Sequence, residues 1–199
     1  MNLDHLTPID PSPDAWLDAV LSVFPAFLCD HASCEKKASG MALNVASHYP
    51  DKPSLVRAMT DLAVEELTHW REVMRVLMDR NIRPQPDDRD TYVHAMQAQI
   101  HKGPDLYLLD RLLVDALIER RGAERFSRIS EALEKSSHPF SELASFYRAL
   151  ATSESRHWGL FIQLAAEYFE QSAVEARFAT LHEAEFQVVI SLPPAPRLH

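Results

Sequence analysis

The sequence predicts an all-α protein, a bundle of four long helices with additional short helices and a C-terminal helix. Three observations carry that prediction. Four glycines in 199 residues are too few for the tight turns of a sheet protein. The thirteen prolines fall in groups that leave long segments uninterrupted, and proline would break a helix interior. Within those segments, apolar residues recur at the 3.6-residue period of a helix with one buried face.

Residues 1–13 carry three prolines and little periodicity, so they read as an extended arm. A short helix is expected over 14–24. Pro25 permits a new start, and 27–49 reads as the first long helix, its inward stripe being Phe24, Leu28, His31, Glu35, Ala38, Ala42 and Val45. The second long helix runs over about 54–80, with Leu55, Met59, Leu62, Glu66, His69, Val73 and Leu77 in register. A charged, proline-containing connector at 83–88 leads to a short helix near 92–101. The third long helix follows Gly103-Pro104 and continues to about 135, its stripe being Leu108, Leu112, Asp115, Glu119, Gly122, Phe126, Ile129 and Leu133. The fourth starts after Pro139 and reaches about 169, aligning Leu143, Tyr147, Leu150, Glu154, His157, Phe161, Leu164 and Tyr168. A last helix over 172–190 precedes a proline-rich segment, 193–199, expected to be a flexible tail. The whole is expected to form one domain spanning 1–199.

Each long helix thus carries a carboxylate in its apolar seam. Glu66 with His69, and Glu154 with His157, place a carboxylate and an imidazole on one helix face at i and i+3. One such spacing means little, since 15 Glu and 10 His in this length supply about 0.75 of them by chance. Glu35 and Glu119 on the other two helices complete a different picture: one Glu from each of two helices and a Glu-x-x-His from each of the others, the ligand pattern of ferritin-like di-iron bundles. Four buried carboxylates would each cost several kcal/mol if unpaired, on the order of what two divalent cations would relieve. Iron, manganese and zinc all accept such ligands. Glu124 is an alternative third-helix ligand because it lies thirty residues before Glu154, but it points about 140° away from Glu119 on the helical wheel, among Arg120, Arg121 and Arg128. Glu119 is preferred. His31 and Asp115, one turn before Glu35 and Glu119, are candidates to hold the ligand histidines in one tautomer, or for ordinary buried hydrogen bonds.

The composition narrows the function classes. Cys29 and Cys34 would point about 140° apart on a helix and cannot pair with each other. With no leader-like N-terminus and no run of 18 apolar residues, a cytoplasmic protein that does not span a membrane is expected. The net charge of −9 argues against broad affinity for nucleic acid but permits a local basic surface, for which Lys36, Lys37, Arg71, Arg75, Arg120, Arg121, Arg125 and Arg128 are candidates or merely a solvated face. Phe27, Leu112 and Phe161 are read as core, or as lining of a substrate pocket.

The segments HASCEKKASGMALN, LAVEELTHWREV, LLVDALIERRGAERF and FYRALATSESRHW resemble the motifs of the MiaE family of bacterial tRNA hydroxylases, over about residues 15–190. One departure is Gly122-Ala123, where the family usually has Ser-Cys. The resemblance implies an O2-dependent non-haem di-iron monooxygenase that hydroxylates the isopentenyl side chain of 2-methylthio-isopentenyl-adenosine beside the tRNA anticodon. It implies two Fe ions held by Glu35, Glu66, His69, Glu119, Glu154 and His157, the tRNA anticodon stem-loop as partner, and an external electron donor of ferredoxin type. The competing readings are a ferritin-like ferroxidase or iron-handling protein, a di-iron hydroxylase of another small apolar substrate, and a metal-free helical module.

Overall fold

The computed structural model describes residues 9–199, the side chains at 104 and 105 excepted, and the rest of the expected N-terminal arm lies outside the described residues. Among the described residues there are seven α-helices, one single 3-10 turn at Ser141–Leu143 and no strand. The helices are α1 (Asp14–Ser22), α2 (Phe24–His48), α3 (Pro53–Asp79), α4 (Thr91–Gln97), α5 (Pro104–Glu134), α6 (Ala144–Tyr168) and α7 (Gln171–Ser191). Proline occupies the first turn of α2, α3 and α5, where its missing N–H is no loss and its fixed φ suits a helix start. Asp90 caps α4 by accepting a hydrogen bond from the backbone N–H of Val93 at 2.8 Å.

The chain divides into two compact units. One contains residues 18–89 and Ala195–Leu198, and its core is the α2–α3 pair. The helices are antiparallel: the Ser39 hydroxyl donates to the Ala63 carbonyl, and Glu35 lies beside His69. Phe24, Leu28, Ala42 and Val45 of α2 and Leu55, Met59, Leu62, Val73 and Leu77 of α3 are buried, in line with the expected stripes, whereas Ala38 is half-buried and Phe27, outside the stripe, is fully buried. In the connector after α3, Asp87 accepts from Ser33 and Lys36, and the Lys37 ammonium donates to the Asp88 carbonyl. Arg197 pairs with Asp88 and the Leu198 N–H donates to Asp30, so residues 197 and 198 are held against this unit.

The other unit contains residues 9–17, Asp90–Pro194 and His199. Its core is the antiparallel α5–α6 pair, registered by Ser130 against Ala144 at one end and Glu119 against His157 further along. Leu112, Leu113, Ala116, Leu117, Phe126, Ile129, Tyr147 and Phe161 fill that pair, and α4 and α7 pack alongside. Here the sequence reading missed a buried polar network. Arg121, fully buried, makes two hydrogen bonds to Glu185 of α7, at 2.8 and 2.9 Å, and Glu185 also accepts from the Tyr92 hydroxyl. Arg125 donates to Ser12 and stacks 4.7 Å from the Trp16 ring centre. Arg121 and Arg125 therefore hold this unit together and are no part of a basic surface, and the half-buried Arg120 lies over the Trp158 and Phe178 rings at 5.3 and 5.9 Å. The overlooked signal was Glu185 itself, in register with Val174, Phe178, Leu181 and Val189 on the buried face of α7.

Candidate metal centre

Within the α2–α3 unit, Glu35, Glu66 and His69 are buried and their ligand atoms lie within 4.8 Å of one another. The spacing of the seam is the cause: Glu66 and His69 share the inward face of α3, and the antiparallel register brings Glu35 of α2 opposite them. The His69 Nδ1 atom is 3.4 Å from Glu66 Oε2 and 3.7 Å from Glu35 Oε2. Behind Glu35, the buried His31 Nε2–H donates to its other oxygen, Oε1, at 2.6 Å. A carboxylate only accepts, so this contact fixes the His31 proton on Nε2. His31 therefore orients a carboxylate, where the sequence suggested it for a histidine.

Burial works against ionisation of Glu35, but its hydrogen bonds to His31 and His69 outweigh that and hold the carboxyl well below the usual range. Burial by itself lowers the His69 imidazole, yet Glu35 and Glu66 push it up to about 10. The cluster demands positive charge, and in the metal-free protein a proton on His69 supplies it.

The α5–α6 unit repeats the arrangement. Glu119, Glu154 and His157 are buried, again with ligand atoms within 4.8 Å of one another. The His157 Nδ1 atom is 3.1 Å from Glu154 Oε2 and 3.7 Å from Glu119 Oε2. Gly122, one turn after Glu119, passes beside the Glu154 side chain: a Cβ there would stand 3.7 Å from Glu154 Cγ. Asp115, one turn before Glu119, is buried 3.5 Å from Arg111. Burial drives its carboxyl up to about 7; Arg111 opposes the shift and Glu119 adds to it.

Glu124 lies elsewhere. It accepts hydrogen bonds from the Ser12 N–H and hydroxyl at 3.0 and 2.6 Å, and it pairs with Arg121 and Arg128. Its oxygens are occupied within a structural network, whereas Glu119 stands beside His157. Phe27, Leu112 and Phe161 are fully buried core residues.

The donor sets fit a divalent cation. Two atoms that each lie about 2.1 Å from one ion are about 3 Å apart at a right angle, close to the separations within each trio. Carboxylate oxygen with imidazole nitrogen is the chemistry of iron, manganese or zinc sites, with no thiolate in either trio. Both cysteines are free thiols.

The family model described as tRNA-(MS[2]IO[6]A)-hydroxylase (MiaE) matches residues 6–199. The chain is 31% identical over 189 residues to a tRNA 2-(methylsulfanyl)-N(6)-isopentenyladenosine(37) hydroxylase of Pseudomonas putida KT2440, covering 95% of this chain and 89% of that one. It is 25% identical to a protein of the same description from Salmonella typhimurium LT2, covering 95% and 86%. Among solved structures, a Synechococcus protein described as having aldehyde deformylating oxygenase activity matches with a TM-score of 0.86 at 31% identity, covering 95% of this chain and 93% of that one. The all-α, ferritin-like fold class read from the sequence accords with that match.

Proposed function

The chain belongs to the MiaE family of tRNA hydroxylases, and from that premise we propose that its two carboxylate–histidine trios serve one non-haem di-iron centre. Glu35, Glu66 and His69 would hold it from α2 and α3, and Glu119, Glu154 and His157 from α5 and α6. The single observation that carries this reading is the repetition: each helix pair independently gathers a Glu from one helix and a Glu-x-x-His from the other, all buried. The enzyme is a tRNA-modifying hydroxylase, acting on the isopentenyl side chain of 2-methylthio-isopentenyl-adenosine next to the anticodon. When bound, the iron pair supplies the O2 and redox chemistry that amino-acid side chains lack.

The chain's own residues do the rest. His31 holds Glu35 by one oxygen, so that the other is left toward His69. Buried apolar residues of each pair, such as Phe27 and Leu62 in α2–α3 and Leu112 and Phe161 in α5–α6, keep water from the trios and strengthen the charge interactions within them. Asp115, a buried acid one turn from Glu119, stands where a proton can be stored near the α5–α6 trio.

Two electrons per turnover must come from outside, since the sequence has no flavin or nicotinamide fingerprint; a ferredoxin-type protein is the proposed source. The anticodon stem-loop is the part of the tRNA engaged, through local contacts whose affinity falls with salt. No helix among the described residues is long and apolar enough to cross a membrane by itself, and a tRNA substrate suits the proposed cytoplasmic location. The deciding experiment is nucleoside analysis of tRNA from a strain without its own hydroxylase, with and without this gene. The hydroxylated nucleoside is expected only when the gene is present and its six ligands are intact; its absence with soluble, iron-loaded protein overturns the reading.

A further inference from the structure

The outward face of α3 is unlike the remaining surface of an acidic chain. The guanidinium groups of Arg57, Arg71 and Arg75 are exposed along it and, among the described residues, hold no hydrogen bond or ion pair; that of Arg83, just beyond the helix, is the same. Most other cations are engaged within the chain: Lys36 and Lys37 by the connector, Arg111 by Asp115, Arg128 by Asp14, Arg148 by Glu134 and Arg177 by Asp110. Interleaved with the free arginines are Val64, Leu67 and Met78, each at least half exposed. Exposed arginine and methionine around an apolar centre is the composition of a protein-binding patch. Asp61, Glu72 and Asp79 line one edge of it.

This ridge stands directly behind the metal ligands. Arg75 is nine residues from Glu66, which is about 180° around the helix, so the patch and the ligands are separated by the thickness of one helix, about 10–12 Å with side chains. That geometry discriminates between partners. A C–H bond to be hydroxylated must reach the ligands themselves, and the α3 backbone stands in its way; electrons do not need contact. Phosphates would leave Val64, Leu67 and Met78 uncovered, whereas a protein with an apolar centre and acidic residues placed opposite Arg57, Arg71 and Arg75 would cover them.

We propose that the outward face of α3, centred on Val64, Leu67, Arg71 and Arg75, is the docking surface for an acidic electron-carrier protein that reduces the metal centre through α3. The inference rests on the hydroxylase reading. Hydroxylation inserts one oxygen atom of O2 into the substrate C–H bond and releases the other as water: R–H + O2 + 2 e⁻ + 2 H⁺ gives R–OH + H2O. Two molecules of a one-electron iron–sulfur carrier are oxidised per turnover, docking in succession. A ridge about 27 Å long between Arg57 and Arg75 suits the small interfaces of transient redox partners, below about 1,200 Å².

The test uses full-length, iron-loaded protein and a plant-type [2Fe–2S] ferredoxin as probe. R71E/R75E is expected to weaken ferredoxin binding, measured calorimetrically, by about tenfold or more at low salt, and to slow reduction of the centre by reduced ferredoxin to the same extent. Reduction by dithionite, and tRNA binding in a gel-shift assay, should be unchanged. V64S/L67S should weaken ferredoxin binding without altering its salt dependence, and K102E, an exposed cation in the other unit, should do nothing. Unchanged ferredoxin binding and reduction in R71E/R75E overturns the proposal. So does a loss of tRNA binding with ferredoxin reduction intact, which would make the ridge an RNA surface. If dithionite-reduced wild-type protein leaves the tRNA nucleoside unmodified, the hydroxylase reading fails, and the binding and reduction assays still report on the ridge separately.

Discussion

His69 in the α2–α3 pair and His157 in the α5–α6 pair each turn Nδ1 toward two carboxylates, at 3.4 and 3.7 Å in one case and 3.1 and 3.7 Å in the other. One turn before the lone Glu of each pair, the likeness ends. Glu35 is backed by His31, a donor at 2.6 Å that favours the ionised carboxylate. Glu119 is backed by Asp115, itself an acid driven toward its neutral form by burial. The same carboxylate–histidine trio can therefore be built twice while its charge is balanced in two ways: by a donor in one half, and by a neighbour that gives up its charge in the other.

The largest effects should come from the ligands common to both halves. Glu66→Ala and Glu154→Ala are each expected to lower bound iron from about two per chain to below one, and to reduce the hydroxylated nucleoside to the background of a strain without the gene. Metal analysis of protein purified without chelator, alongside nucleoside analysis, checks both. Full iron in either variant would break the equivalence of the halves. Glu119→Ala should behave like these two. Glu124→Ala should instead keep its iron and lose stability by about 1–3 kcal/mol in urea unfolding, because it leaves Arg121, Arg128 and Ser12 short of an acceptor. Iron loss in Glu124→Ala but not in Glu119→Ala would reverse the ligand assignment.

The two clusters of Glu, Glu and His were legible because residues at i and i+3 share one helix face. Glu66/His69 and Glu154/His157 had to share a face, and their apolar neighbours showed that the face was buried. The helix limits were legible for a related reason, since Pro25, Pro53 and Pro104 sit in the first turns they start. What lay across sequence was harder. Nothing in the stretch around Arg121 tells that its charge is met by Glu185, 64 residues away, so it looked like a surface cation. The tail at 193–199 read as flexible from its prolines, but Arg197 and Leu198 find partners in Asp88 and Asp30 that no local pattern reveals. The roles of His31 and Asp115 were open for the same reason: periodicity places a side chain on a face and says nothing of the atom it meets.

Asp115 in one half and His69 in the other should give two separate pH windows in the stability of the metal-free protein. Asp115 is raised from 3.8 to about 7, so the folded state binds the extra proton between those values, and stability falls as pH rises through that window. His69 is raised from 6.5 to about 10, so its contribution is complete below 6.5 and is lost as pH rises toward 10. Each shift corresponds to a few kcal/mol, on the order of 4–5. Urea unfolding of metal-free protein across the range from acid to alkaline pH should show both declines. Asp115→Asn should flatten only the lower one and His69→Ala only the upper. A single decline removed by both substitutions would mean that the halves titrate as one.

The smallest expected effect concerns the residue one turn after each lone Glu, which is Ala38 in the first half and Gly122 in the second. Glycine inside a helix costs about 0.5–1 kcal/mol relative to alanine, because it loses more backbone freedom on folding. A Cβ at Gly122 would stand 3.7 Å from Glu154 Cγ, an ordinary van der Waals contact that displaces nothing. Gly122→Ala should therefore make the second half match the first, raise the melting temperature by about 1–4 °C, and leave bound iron unchanged. If the melting temperature rises while iron is lost, the glycine is kept for room: Glu154 must swing toward α5 when metal binds, and the two halves differ in how far their carboxylates move.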